Sequence, residues 1–207
     1  MLRGRTMTSS SDALAGDLAD LNEGFLSLVA QGVDTGLPDD VTRRLCGLAP
    51  PARRRLAAAP FAVFGFGFED EEGWAGLLAP GVRDLEPGYV SQEPLAERFT
   101  LLALTALRGY VRVAPHRVAA WIGLPGGTRV RLAEVEISVL CAVAARAASR
   151  LRARFPARHA LWGRIIDAAT RGDERDLRLL SGLGMQWTIR RCLGLGALGR
   201  AARGFRR

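Results

Sequence analysis

Leu18, Leu21, Phe25, Leu28 and Val29 recur three and four positions apart, the spacing of one helix face, and Ser11 or Asp12 is placed to cap its start. Pro38 suits the first turn of a second helix carrying Val41, Leu45 and Leu48. Pro50 and Pro51 open a third, and Pro60 ends it, because proline supplies no amide hydrogen and clashes with the preceding turn. From Phe61 to Phe68 the period changes to two, which predicts a short strand. Glu69, Asp70, Glu71 and Glu72 then put acids in the first turn of a further helix, where its dipole favours them. After Pro80, Gly81, Pro87 and Gly88, helical spacing resumes over Leu95 to Val113 and again from Pro115 to Gly123. Val130 to Ser149 is apolar almost throughout, so part of it is expected in the core. Leu151 to Phe155 alternates again, and Pro156 opens a helix bearing Trp162. The pattern predicts a mainly α chain with two short strands able to pair with each other.

The order of elements repeats. Gly36-Leu37-Pro38 returns as Gly123-Leu124-Pro125, 87 residues later. At that spacing Arg44-Leu45 matches Arg131-Leu132, Leu48 matches Val135, and Leu56-Ala57 matches Val143-Ala144. Phe64, Phe66 and Phe68 fall on Leu151, Ala153 and Phe155, and one inserted residue then sets Trp74 on Trp162. A triplet alone arises by chance, whereas the ordered series argues for two copies of one helical unit.

Composition narrows the chemistry. The 207 residues are 48% hydrophobic and 24% charged, enough to bury a core and too apolar for a disordered chain. The longest apolar run, Val139 to Ala145, falls far short of the roughly 20 residues of a membrane helix. Arginines at the N-terminus lead into Thr8-Ser9-Ser10-Ser11-Asp12 rather than an apolar signal core, so the cytoplasm is the expected location. Cys46, Cys141 and Cys192 form no CxxC and read as small hydrophobes in a reducing compartment. His116 and His159 form no HExxH, so no metal site is expected. Gly194 to Gly199 spells GxGxxG, but it follows a helix and leaves eight residues for a βαβ unit. No GxSxG or Walker loop is present, His159 has no evident Cys or Ser partner, and Glu69 to Glu72 reads as a solvated helix start. The expectation is a protein that is not an enzyme and takes no cofactor.

Charge is unevenly placed. All 29 basic residues are arginine. Residues 1–87 hold 8 arginines against 13 acids, a net charge of −5, and residues 88–207 hold 21 against 8, a net of +13. A basic second half suits a polyanion or an acidic partner. If residues 150–155 are extended, Arg150, Arg152 and Arg154 share one face while Leu151, Ala153 and Phe155 bury the other. Such a row either holds phosphates and carboxylates or is a solvated edge whose charges discourage aggregation. Asp173 to Leu180, a turn at Ser181-Gly182-Leu183-Gly184, and Met185 to Leu193 read as a helix-turn-helix, or else as a plain helical hairpin. In the first case Gln186, Thr188, Arg190 and Arg191 are candidates for base and phosphate contacts. Arg200, Arg203, Arg206 and Arg207 make a basic tail that adds phosphate affinity without sequence information.

The second copy resembles the FlhD family of bacterial transcriptional regulators and its relatives on integrating conjugative elements. The resemblance lies in Arg112-Val113-Ala114-Pro115, the helix through Ala119 that closes with Ile122-Gly123-Leu124, Leu132-Ala133, and Leu151-Arg152-Ala153-Arg154-Phe155. The ending from Gly182-Leu183 to Gly194-Leu195 resembles the terminal helix pair of the conjugative-element relatives. The resemblance implies an α-helical regulator that binds promoter DNA with an FlhC-like protein subunit or through self-association, without a membrane. The FlhD proteins form dimers, so two copies in one chain would form an internal pseudo-dimer; the flagellar proteins depart from this chain in being shorter and single-copy. The expected organisation is a disordered N-terminus at 1–11, a first FlhD-like repeat at 12–79, a linker at 80–91 and a second repeat at 92–172. A helix-turn-helix-like hairpin at 173–195 and a basic tail at 196–207 complete it. The alternative is a non-enzymatic helical adaptor or structural subunit whose arginines bind an acidic protein.

Overall fold

The computed structural model describes residues 10–79 and 94–192, with side chains from 13 to 190. Residues 1–9, the expected linker at 80–91 and the expected tail at 196–207 lie outside them. Helix α1 (Ser10–Ala30) turns Leu18, Leu21, Phe25 and Val29 inward, as their spacing requires, and begins within the stretch expected to be disordered. α2 (Asp39–Cys46) follows, with Pro38 at its N-cap, one residue ahead of the expected first-turn position. Pro50 starts α3 (Pro50–Ala57), where a missing N–H costs nothing. After β1 (Phe64–Gly65), the Asp70 carboxylate caps α4 (Glu71–Leu77) by accepting the Gly73 N–H at 3.0 Å. The second half contains α5 (Pro94–Val113), α6 (Pro115–Ile122), α7 (Gly126–Glu134), α8 (Ile137–Ala148), β2 (Arg152–Ala153) and α9 (His159–Arg171). A last helix, α10 (Glu174–Cys192), has no counterpart in the first half. The protein is mainly helical, and among the described residues the only sheet is the β1–β2 ribbon.

That ribbon is antiparallel, pairing Phe64 with Ala153 and Gly65 with Arg152. Gly36 and Gly123, 87 residues apart, have φ of +71° and +70°. Gly67 and Phe155, 88 apart, have φ of +62° and +52°. The Trp74 indole N–H donates to the Phe66 carbonyl at 3.1 Å, and that of Trp162, 88 residues on, donates to the Arg154 carbonyl at 2.8 Å. At that separation of 88, Phe64 and Phe66 fall on Arg152 and Arg154, whereas the 87-residue spacing read from the sequence sets them on Leu151 and Ala153.

α1 packs on α2 and α3, and α5 on α7 and α8, while α4 reaches across to α7 and α9 to α2. One buried core runs through both halves, with Phe25, Phe64 and Phe99 in mutual ring contact. Asn22 is buried on α1 but fully used: its Nδ2 donates to the Ala57 carbonyl at 2.9 Å and the Phe61 carbonyl at 3.1 Å, and its Oδ1 accepts the Val63 N–H at 2.9 Å. It fixes the path from α3 into β1. Cys46 and Cys141 are exposed free thiols rather than buried small hydrophobes, and the Cys192 side chain lies outside the described set. No described helix is long and apolar enough to cross a membrane.

Candidate nucleic-acid interface

The segment after α8 delivers its arginines to one place. Leu151, Ala153 and Phe155 are buried, as alternation demands. Arg150, Arg152 and Arg154 line a surface cleft of about 210 Å³ with Gly65, Gly67, Gly123 and a single carboxylate residue, Glu69. Glycine is required on one wall. A Cβ at Gly123 would sit 2.5 Å from Nη2 of Arg154, and the residue already lies in the left-handed region that closes α6.

The three guanidiniums differ in what holds them. Arg150 donates to the Asp70 carboxylate at 2.8 Å and lies 5.9 Å from the Trp74 ring centre. The Gly73 amide and the Arg150 guanidinium together hold the Asp70 carboxyl below the usual aspartate range. Arg152 is exposed, with Nη1 donating at 2.7 Å to the carbonyl of Leu151. Arg154 is only 8% exposed. It donates to the Ile122 carbonyl and, at 3.2 Å, to the Thr188 hydroxyl, and its guanidinium lies over the Phe155 ring. Arg154 is thus an anchor beneath α10 rather than part of an exposed cationic face.

The expected turn at Ser181 to Gly184 is absent: α10 runs unbroken through it. Two helical glycines cost about 1 kcal/mol each against alanine, and tertiary packing outweighs that propensity. Gly184 fits against Phe61, where a Cβ would come 2.7 Å from the ring, and Leu180 and Thr188 are buried on the same side. The chain reverses earlier, at Gly172 (φ +72°), so α9 and α10 form the helical pair. Gln186 and Arg190 lie exposed on α10. Thr188 does not: it is buried, its hydroxyl donating to the Gly184 carbonyl at 2.9 Å and accepting from Arg154, which removes it as a base contact. The Arg191 side chain lies outside the described set.

Sequence reasoning missed two features here. Asp70, read as a solvated helix start, is the partner of Arg150 from 80 residues away, and nothing local signals that pairing. Arg158 lies 4.8 Å above the Trp187 ring, a stacked cation beside Gln186 and Thr188. No cluster of three or more metal-ligating side chains occurs among the described residues. No protein-family model, curated protein or solved structure matches the chain.

Proposed function

We propose that the chain is a DNA-binding transcriptional regulator or regulatory subunit of FlhD-like kind, acting with an FlhC-like partner. The carrying observation is the convergence of Arg150 and Arg152 on one cleft that a single carboxylate residue, Glu69, shares. Guanidinium forks hold phosphate oxygens well, and the +13 charge of residues 88–207 draws a polyanion to that half. Arg190 and Gln186 extend the reading onto α10; Arg154 and Thr188 position that helix. The 87- and 88-residue correspondences, the ribbon made of equivalent strands and the crossed α4–α7 and α2–α9 packing support an internal pseudo-dimer.

A mobility-shift assay at physiological salt tests the reading. Arg150→Ala/Arg152→Ala and Arg190→Ala should each weaken duplex binding several-fold. Arg44→Ala removes a cation that does not line the cleft and should leave binding unchanged. Equal affinities for all four proteins would sink the assignment.

One observation favours the adaptor reading as the second. On α10, Leu179 is 59% exposed and Leu183, one turn on, is 39% exposed, an uncovered apolar pair. Loss of a co-purifying acidic protein in Leu179→Ser/Leu183→Ser, with no DNA binding by the parent chain, would favour the adaptor.

A further inference from the structure

A second cleft lies apart from the arginines of the β2 segment. It occupies about 400 Å³ between α3, α9 and α10. Leu56, Phe61, Phe155, Trp162 and Leu177 form its walls, so the interior is hydrocarbon and aromatic ring. Charge appears only among lining residues that reach solvent: Arg55 from α3, with Arg178 and Glu174 from the first turns of α10. The Arg55 Nε donates to the Ala169 carbonyl at 2.8 Å, and the Arg178 Nε to the Glu174 carbonyl at 3.2 Å. Backbone anchors of this kind fix both guanidiniums at the edge of the cleft without placing a carboxylate on either.

The volume falls within the range of about 300–1,000 Å³ typical of small-ligand sites, and such sites combine an apolar body with a few placed polar groups. Two cations against one carboxylate leave the mouth net positive. We propose that this cleft binds a small amphiphile, an apolar body carrying one anionic group, seated with its body against Phe61, Phe155 and Trp162 and its anion toward Arg178 and Arg55. The proposal does not depend on the DNA reading, because the cleft shares no arginine with the proposed phosphate contacts.

The test uses the full chain and anilinonaphthalene sulfonate, an apolar fluorophore with one anionic group. Saturable enhancement at one site is expected, displaced by decanoate about tenfold more tightly than by decanol, which has the same tail and no charge. Ala59→Trp fills the cleft and should abolish both. Arg178→Glu should weaken decanoate about tenfold and leave decanol unchanged, and this arm stands even if the tryptophan variant fails to fold. Non-saturable enhancement, equal displacement by the two ligands, or decanoate affinity untouched by Arg178→Glu would overturn the proposal.

Discussion

Arg154 sits where a substitution should be felt by the fold rather than by a ligand. Removing its guanidinium leaves the Ile122 carbonyl and Thr188 hydroxyl short of a donor beneath α10, so Arg154→Ala should lower unfolding stability by about 2–4 kcal/mol. Arg152→Ala, at an exposed position, should stay within about 0.5 kcal/mol of the parent; urea denaturation of the two variants checks the contrast. Asp70 gives a pH signature. Its native carboxyl ionises below the ordinary range, so the stabilisation is complete at neutral pH and is lost as pH falls through that depressed value. Asparagine also caps helices, so Asp70→Asn isolates the charge. The Tm difference between parent and Asp70→Asn should be positive at neutral pH and shrink well below about pH 4, whereas a constant difference would contradict the pairing with Arg150. At this scale the sequence was half legible. Period-two alternation disclosed that Leu151, Ala153 and Phe155 are buried, because burial on one face is a local property of a strand. It could not disclose which arginine stays in water, because α10 and the closing glycine of α6 arrive from other parts of the chain.

Helix α10 is the element whose sequence reading departs furthest from its structure. Glycine at 182 and 184 signals a turn locally, and the long-range fit to Phe61 overrides that signal. The two positions should respond with opposite signs. Nothing lies within 4 Å of a Cβ built at Gly182, so Gly182→Ala should stabilise by up to about 1 kcal/mol through helix propensity. At Gly184 the Cβ would meet Phe61 at 2.7 Å, so Gly184→Ala should destabilise by about 1–3 kcal/mol through overpacking. Thermal melts of the pair decide the matter; loss of stability in Gly182→Ala would revive a turn there. Some helix ends were legible because proline and glycine mark them directly, Pro50 and Pro115 at starts and Gly123 in a left-handed cap, whereas α9 begins at His159 rather than at the expected Pro156.

Across the whole molecule, a continuous core and crossed helix pairs bind the two halves into one unit. Calorimetric unfolding should therefore show a single cooperative transition, and two resolved transitions would contradict a shared core. An 87-residue spacing was readable from ordered matches, but the 88-residue separation of the left-handed residues and the indole hydrogen bonds was not. Side-chain identity aligned Phe66 with Ala153, while the left-handed backbone at Gly67 and Phe155 and the paired indole hydrogen bonds align it with Arg154. At that separation a buried phenylalanine stands opposite a buried arginine, and the arginines of the cleft all come from the second half while residues 65–69 of the first half form its other wall. The most direct test of phosphate binding at that cleft is the salt dependence of duplex affinity for the parent chain and for Arg150→Ala/Arg152→Ala. Log affinity should fall linearly with log salt, and the double variant should lose about 2 from the magnitude of that slope, about 0.9 for each phosphate contact removed. Identical slopes for the two proteins would contradict the assignment.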